Sequence, residues 1–236
     1  MPESLEGLKS GSLITFEGIE GCGKSTQIVM LAERLRELGH VVTISREPGA
    51  TRLGQQLRDL LLDPTHDPDA LTELLLYLAD RREHCRRVIG PALDRGEIVL
   101  LDRFVDSTWV YQGFAAPAAA AAGVSTAVSS ENIDILNRLV VGAYWPQLTC
   151  LLDCPAEIGL KRARQRNIEI GAVGVADRFE QRQLRFHEQV RAGFLHLAKV
   201  EKKRFCLFDA ARSIADIHDE IWQEFSRRIR LSAICR

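Results

Sequence analysis

The feature that most constrains this chain is a glycine-rich segment that follows an apolar run and precedes a helical pattern. Residues 18–25 read Gly-Ile-Glu-Gly-Cys-Gly-Lys-Ser, a complete match to G-x-x-x-x-G-K-S. Glycines in such a loop let successive backbone N–H groups turn inward around an anion, and the following helix N-terminus adds positive potential. The segment therefore predicts a phosphate-binding P-loop between a strand and a helix.

The side chains of this loop predict a bound nucleoside triphosphate. We expect Lys24 to reach the β- and γ-phosphates and the Ser25 hydroxyl to hold Mg²⁺. The residues expected to bind ATP are Gly18, Ile19, Glu20, Gly21, Cys22, Gly23, Lys24, Ser25 and Thr26.

Five short apolar runs predict strands buried on both faces, and the intervals between them carry helical periodicity. The predicted strands are 12–17, 41–46, 98–102, 148–153 and 204–208. The predicted helices are 24–38, 52–62, 69–89 (ending before Pro91), 132–141, 155–166, 176–199 and 214–229. This alternation predicts an α/β P-loop NTPase fold with three layers, in which helices flank a five-stranded parallel sheet.

Length and composition bound the organisation of the chain. The 236 residues, 46% hydrophobic and 27% charged, predict one domain over 1–236 and exclude a disordered or coiled-coil chain. A net charge of −1 argues against a broad nucleic-acid surface. No run approaches the roughly 18 apolar residues of a membrane helix, so we expect a cytoplasmic protein without membrane partners. The six cysteines show no C-x-x-C spacing, and we expect them to be reduced.

Two stretches interrupt the regular pattern. Residues 115–130 form an alanine-rich segment bracketed by proline and glycine, and we interpret it as a surface insertion. Residues 167–175 are irregular and contain Gly171 and Gly174, which predicts a hinged flap between two helices.

The type of nucleotide is indicated by a missing motif. A guanine-reading Asn-Lys-x-Asp is expected in small GTPases, whereas Asn132, Asn137 and Asn167 are followed by Ile, Arg and Ile. ATP is therefore the favoured phosphate donor.

Charged residues at two predicted strand ends suggest a second phosphate site. Asp102 and Arg103 follow the third strand, and Arg46 ends the second. Ligands bind at the carboxyl ends of such strands, where Asp102 can hold Mg²⁺ and two arginines can converge on an acceptor phosphate. A strand-end salt bridge is the alternative for Arg103.

Four motifs in order resemble those of the thymidylate kinase family: residues 16–26, 46–49, 102–104 and 107–113. Shorter matches at 159–164, 177–180 and 209–210 extend the resemblance over nearly the whole chain. It implies Mg²⁺-dependent transfer of the γ-phosphate of ATP to dTMP, and it implies a homodimer.

The resemblance also implies the roles of the acceptor-site residues. Arg46 and Arg103 bind the dTMP phosphate, Tyr77 stacks on thymine and Arg81 reaches its O4. Tyr77 and Arg81 are four residues apart, a spacing that places both on one helix face. A core aromatic is the alternative for Tyr77.

The remaining implied contacts surround the sugar and the base edge. Glu20 approaches the 3′-hydroxyl, Tyr111 packs beside C2′ and disfavours ribonucleotides, and Gln112 reaches the thymine edge. Ser107 orders the turn that carries them. Val110 replaces the family's usual alanine and adds bulk near this site.

In the family that the chain resembles, the arginine that meets the transferring phosphoryl group comes either from the P-loop or from a lid. This P-loop contains no arginine, so the resemblance implies that the lid, at about 162–178, supplies it. Arg162 and Arg166 share a helix face, whereas Arg164 points away. The predicted catalytic set is Lys24, Asp102, Arg162 and Arg166; a solvated basic face is the alternative for the two arginines.

Two rival functions remain open at this stage. A kinase of the same fold could act on another monophosphate, such as dUMP or a cytidylate. A nucleotide-dependent switch or assembly ATPase would need neither the Tyr77 and Arg81 platform nor a second phosphate site.

Overall fold

Five short strands form one parallel sheet with the order β2-β3-β1-β4-β5. The computed structural model describes residues 11–115, 128–169 and 182–234, with side chains to 229. The strands are β1 (Ser12–Glu17), β2 (Val42–Arg46), β3 (Ile98–Asp102), β4 (Leu148–Asp153) and β5 (Phe205–Asp209). The predicted five-stranded parallel α/β sheet is confirmed, with strand boundaries shifted by one residue at β2 and β5.

Helices occupy the intervals between the strands. They are α1 (Lys24–Glu37), α2 (Arg52–Leu62), α3 (Ala70–His84), α4 (Gly90–Asp94), α5 (Val105–Thr108), α6 (Ser130–Val141), α7 (Ala156–Glu169), α8 (Leu184–Val200) and α9 (Ile214–Ile234). Two π-helical turns, Cys85–Ile89 and Trp109–Phe114, continue α3 and α5. None of the described helices combines the length and apolarity needed to span a membrane.

The sheet separates two apolar clusters. Successive β1 side chains point to opposite faces, so Ile14 and Phe16 join the larger cluster and Leu13 the smaller. The expectation that all strands are buried on both faces is wrong for the edge strands β2 and β5, where some side chains are exposed to solvent. Leu207 on β5 is 54% exposed, whereas every β1 residue is buried.

The sequence predicted that the third helix ends before Pro91, but the chain remains helical through this residue. The Gly90 N–H donates to the Cys85 carbonyl in a wider π-helical turn, and the chain continues into α4. Proline lies in the first turn of α4, where a missing N–H is tolerated.

Three further helix boundaries differ from prediction by three residues or more. α7 runs to Glu169, so residues 167–169, expected to be irregular, are helical. α8 begins at Leu184 rather than 176, since Gln183 adopts an extended conformation with ψ 151°. α9 continues five residues beyond 229, to Ile234.

Parts of the two irregular segments lie outside the described residues. These are 116–127 of the alanine-rich insertion and 170–178 of the lid. The five described cysteines are free and buried.

Candidate active site

The P-loop joins β1 to α1, and its backbone depends on glycine. Gly18, Gly21 and Gly23 have φ values of +136°, +70° and +99°, which L side chains rarely adopt. A Cβ on Gly21 would also lie 2.0 Å from the Gly159 carbonyl oxygen at the start of α7. The loop is therefore packed against the helix that carries the lid arginines.

Lys24 is folded over this loop. Its side chain is buried, and Nζ donates to the carbonyl oxygens of Gly18 at 3.3 Å and Ile19 at 3.0 Å. The ammonium group is thus held on the concave side of the P-loop, where a phosphate chain would meet it.

Ser25 and Asp102 meet at the mouth of the loop. The Ser25 hydroxyl donates to Asp102 Oδ2 at 2.7 Å. Asp102 ends β3, paired in parallel register with Phe16 of β1. A hydroxyl and a carboxylate are hard oxygen donors, so this pair fits Mg²⁺, which takes few protein ligands and shares the phosphates of its substrate.

One cleft of about 830 Å³ gathers nearly all the predicted site residues. Of the predicted set, only Gly18 and Ile19 do not line it. Those that do are Glu20, Gly21, Cys22, Gly23, Lys24, Ser25, Thr26, Arg46, Tyr77, Arg81, Asp102, Arg103, Ser107, Tyr111, Gln112, Arg162 and Arg166. The P-loop thus shares one space with both strand-end arginines and with α3.

Arg103 occupies a strained position at the carboxyl edge of the sheet. Its φ of +70° is unfavourable for a residue with a side chain. NH2 donates to Glu20 Oε1 at 3.0 Å and NH1 to Ser107 Oγ at 3.1 Å, while the guanidinium carbon lies 5.1 Å from the centre of the Tyr111 ring. Three contacts therefore fix the orientation of the guanidinium.

Arg46 approaches the same place from β2. It is exposed, lines the cleft and pairs in register with Asp102, the residue before Arg103. Both predicted phosphate-binding arginines therefore lie at the carboxyl ends of adjacent strands.

Glu20 collects hydrogen bonds from three elements. Oε1 accepts from Arg103 and, at 2.7 Å, from the Tyr111 hydroxyl, and Oε2 lies 3.2 Å from His187 Nδ1. Burial alone would raise the pKa of Glu20, but Arg103, His187, Lys24 and Tyr111 together hold it well below its ordinary value. The carboxylate is ionised at neutral pH.

Glu17, the last residue of β1, lies beneath Arg103. It accepts from the Phe104 N–H at 2.8 Å and from the Ser107 hydroxyl at 2.6 Å. Burial, with the nearby charge of Asp106, raises its pKa to about 7. Sequence reasoning gave Glu17 no role, although a carboxylate ending a fully buried strand is itself a signal.

Arg81 is almost fully buried beside the cleft. Its three nitrogens donate to Glu47 Oε2 at 2.9 Å, Asn137 Oδ1 at 2.7 Å and the Phe104 carbonyl at 3.0 Å. These contacts tie α3 to β2 and α6. Its predicted reach to a thymine O4 stays a prediction, as does stacking by the partly buried Tyr77.

The Glu47 carboxylate continues into a second buried chain that sequence reasoning missed. His84 Nδ1 lies 2.9 Å from Glu47 Oε1, and its Nε2 lies 2.8 Å from the Ser45 hydroxyl. Nearby, burial and the Glu47 charge raise the pKa of Asp80 to about 6. The network joins the end of β2 to α3 behind the cleft.

Gln112 and Val110 lie on the π-helical turn after α5, an element that the sequence did not predict. Gln112 Nε2 donates to Glu73 Oε1 on α3 at 2.7 Å. Val110 is fully buried and faces Gly193 of α8, whose added Cβ would lie 3.0 Å from Val110 Cγ1. Its extra bulk is therefore placed in the core, and it does not line the cleft.

The two predicted lid arginines face the cleft from α7. Arg162 NH1 donates to the Ala210 carbonyl at 2.9 Å, and Arg166 NH2 lies 3.4 Å from Asn167 Oδ1. Arg164 on the same helix does not line the cleft. The structure therefore separates the arginines as their spacing predicted.

The comparisons with known proteins agree with this geometry. The family model described as thymidylate kinase matches residues 16–221. The chain belongs to the thymidylate kinase family. The thymidylate kinase of Desulfosudis oleivorans is 45% identical over 205 residues, 86% of this chain and 91% of that protein. That of Deinococcus radiodurans is 43% identical over 221 residues, 94% of this chain and 99% of that protein.

A solved structure extends the agreement to three dimensions. The crystal structure of thymidylate kinase from Ehrlichia chaffeensis matches with a TM-score of 0.67 at 32% identity, covering 92% of this chain and 98% of that one. This likeness supports the predicted P-loop NTPase fold over nearly the whole chain.

Proposed function

We propose that this chain transfers the γ-phosphate of ATP to dTMP, giving ADP and dTDP. The observation that carries the proposal is the single cleft in which the P-loop faces Arg46 and Arg103, with Tyr77 on its wall. A switch ATPase needs a site for one nucleotide, whereas this cleft offers anion-binding groups on two sides.

On the acceptor side, Arg46 and Arg103 bind the dTMP phosphate. The contacts of Arg103 with Glu20 and Ser107 orient its planar fork before the substrate enters. Glu20 and Tyr111 meet the sugar, while Tyr77, Arg81 and Gln112 meet the base. The monophosphate is already largely ionised at neutral pH, so its attack needs no strong general base.

On the donor side, the P-loop amides and Lys24 bind the triphosphate. Ser25 and Asp102 would hold Mg²⁺, which supplies neutralisation of charge at the phosphates when bound. Arg162 and Arg166 stabilise the charge that spreads over the transferring phosphoryl group. The two substrates are held in line, which leaves the protein little covalent chemistry to perform.

The reaction is tested by identifying its product. Purified protein is incubated with ATP and Mg²⁺ plus dTMP, dUMP, dCMP or dGMP, and diphosphates are measured by mass spectrometry. We expect dTDP to form fastest, and magnesium chelation to abolish it. Faster phosphorylation of another monophosphate would show that this fold acts on an acceptor other than dTMP.

The lid arginines are tested by a matched pair on one helix. Arg166→Ala is expected to lower kcat by roughly 10³-fold or more, because an arginine that contacts the transferring phosphoryl group stabilises the charge of the transition state. Arg164→Ala, which removes the same charge outside the cleft, is expected to change kcat less than about threefold. Equal losses in the two variants would favour the solvated basic face.

We also propose that the enzyme is a homodimer in the cytoplasm. Large apolar side chains are exposed on three helices that pack side by side: Leu53 and Leu60 on α2, Leu71 and Leu75 on α3, and Ile135 and Leu139 on α6. A second copy of the chain would cover such surfaces. Sedimentation is expected to give twice the chain mass, and Leu139→Glu to give the monomer; a monomeric parent protein would contradict this.

A further inference from the structure

His187 is a buried histidine that has no place in the roles above. It lies in the first turn of α8, and its side chain is fully buried. Nδ1 is 3.2 Å from Glu20 Oε2, whereas Arg103 and Tyr111 donate to Oε1. The contact therefore completes the hydrogen bonding of a carboxylate in the acceptor site.

The other ring nitrogen of His187, Nε2, lowers the stability of the folded state. Among the described residues, Nε2 is buried and pairs with no hydrogen-bond partner. A buried polar atom without a partner destabilises the folded state, and an apolar side chain would fill the same space without that penalty. The benefit of this histidine therefore lies at Nδ1.

Phe186, the residue before His187 on α8, contacts Tyr111, the second side chain expected to meet the sugar. The Phe186 ring meets the Tyr111 ring edge-on, with centroids 6.1 Å apart and planes at 65°. Tyr111 in turn donates to Glu20 at 2.7 Å. One turn of α8 thus supports both Glu20 and Tyr111 from behind.

A helix-docking role is the competing explanation, and α8 offers a control for it. Arg191, one turn further along, forms a bidentate ion pair with Asp153 at the end of β4. Its Nε and NH2 donate to the two carboxylate oxygens at 2.6 and 2.8 Å. This pair also anchors α8 to the sheet edge, but it does not involve Glu20 or Tyr111.

We propose that His187 is a positioning residue for sugar selection. By holding Oε2 of Glu20, it fixes the Glu20 and Tyr111 pair in the arrangement that accepts deoxyribose and excludes ribose. The inference rests on the proposed function, and it adds a selectivity role for α8, the helix that follows the lid segment.

The test compares two amide variants that place their N–H groups differently. In His187→Asn the amide nitrogen reproduces the position of Nδ1, whereas in His187→Gln it reproduces Nε2. kcat and KM are measured for dTMP and for 5-methyluridine 5′-monophosphate, which differ only at the 2′ oxygen. Arg191→Gln is the control for helix docking, and thermal unfolding checks that each variant is folded.

We expect His187→Gln to raise KM for dTMP about tenfold with a smaller effect on kcat, and to lower the preference for dTMP over the ribonucleotide by a similar factor. His187→Asn should restore both values to within about threefold of the parent. Arg191→Gln should lower thermal stability and leave the preference unchanged.

Specific outcomes overturn the proposal. An unchanged nucleotide preference in His187→Gln, or equal changes in His187→Gln and Arg191→Gln, would overturn the positioning role while leaving the kinase activity standing. A parent protein that phosphorylates neither nucleotide would overturn the proposed function together with this inference.

Discussion

At the scale of single residues, Arg103 is held in a strained conformation by its neighbours. A side chain at positive φ costs on the order of 1–3 kcal/mol and persists only where surrounding contacts determine it. Here the contacts are Glu20, Ser107 and the Tyr111 ring. The contacts that hold this strained backbone also orient the guanidinium that we propose binds the acceptor phosphate.

The Glu17 carboxyl beneath that fork makes folding stability depend on pH. Its pKa is raised to about 7 in the folded protein, from 4.5. Between these values the folded state binds more protons than the unfolded state, so this group lowers the free energy of unfolding as pH rises from 4.5 to 7. Glu17→Gln should flatten that dependence while keeping an acceptor for the Phe104 N–H.

The measurement is urea unfolding of both proteins across this pH range. The difference in unfolding free energy should shift in favour of Glu17→Gln as pH rises. A constant difference, or one that shifts the other way, would show that Glu17 is not protonated preferentially in the folded state.

At the scale of elements, the P-loop and α7 approach too closely for side chains between them. A Cβ on Gly159 would lie 2.5 Å from the Glu20 carbonyl oxygen. Gly159→Ala should therefore push α7, with its lid arginines, away from the P-loop. We expect a loss of about 1–3 kcal/mol in stability and a fall in kcat.

The control for that variant is Ile158→Ala, which changes the adjacent, exposed position of α7. Thermal unfolding and kcat are measured for both. If Gly159→Ala behaves like Ile158→Ala, close packing of the two elements is not needed.

A buried ion pair links α5 to the start of the edge strand β5. Arg204, just before β5, donates to both Asp106 carboxylate oxygens at 2.6 and 2.7 Å, and both side chains are buried. Arg204→Met would leave Asp106 buried without its partner, which should cost about 3–5 kcal/mol of unfolding free energy.

The ion pair between the exposed Arg227 and the partly exposed Glu224 provides the comparison. Arg227→Met should cost less than about 1 kcal/mol by the same denaturant titration. A similar small cost for Arg204→Met would mean that the buried pair contributes no more than a surface one.

At the scale of the whole molecule, local patterns predicted the sheet because strand runs and the P-loop depend on neighbouring residues. The placement of Lys24 and Arg103 around one cleft followed from parallel strands ending at one edge. Arg166 was predicted from the family resemblance and from its helical spacing with Arg162. The resemblance to the thymidylate kinase family indicated Tyr77 and Arg81 as residues of the acceptor site.

Other features depend on contacts between distant residues and could not be predicted in the same way. The π-helical turn that carries the chain past Pro91 reflects packing, which overrides the helix-ending tendency of proline. His187 lies 167 residues from Glu20 in sequence, so no local spacing connects them. The buried contacts of Arg81 likewise join three separate elements.

We propose that one cleft couples a donor nucleotide to a monophosphate acceptor. The most direct test is the rate of ADP release with ATP and Mg²⁺, measured with and without dTMP. We predict rapid release with dTMP and little without it, because water is a poor substitute for an acceptor held by Arg46 and Arg103. Release at the same rate in both cases, or none in either, would contradict it.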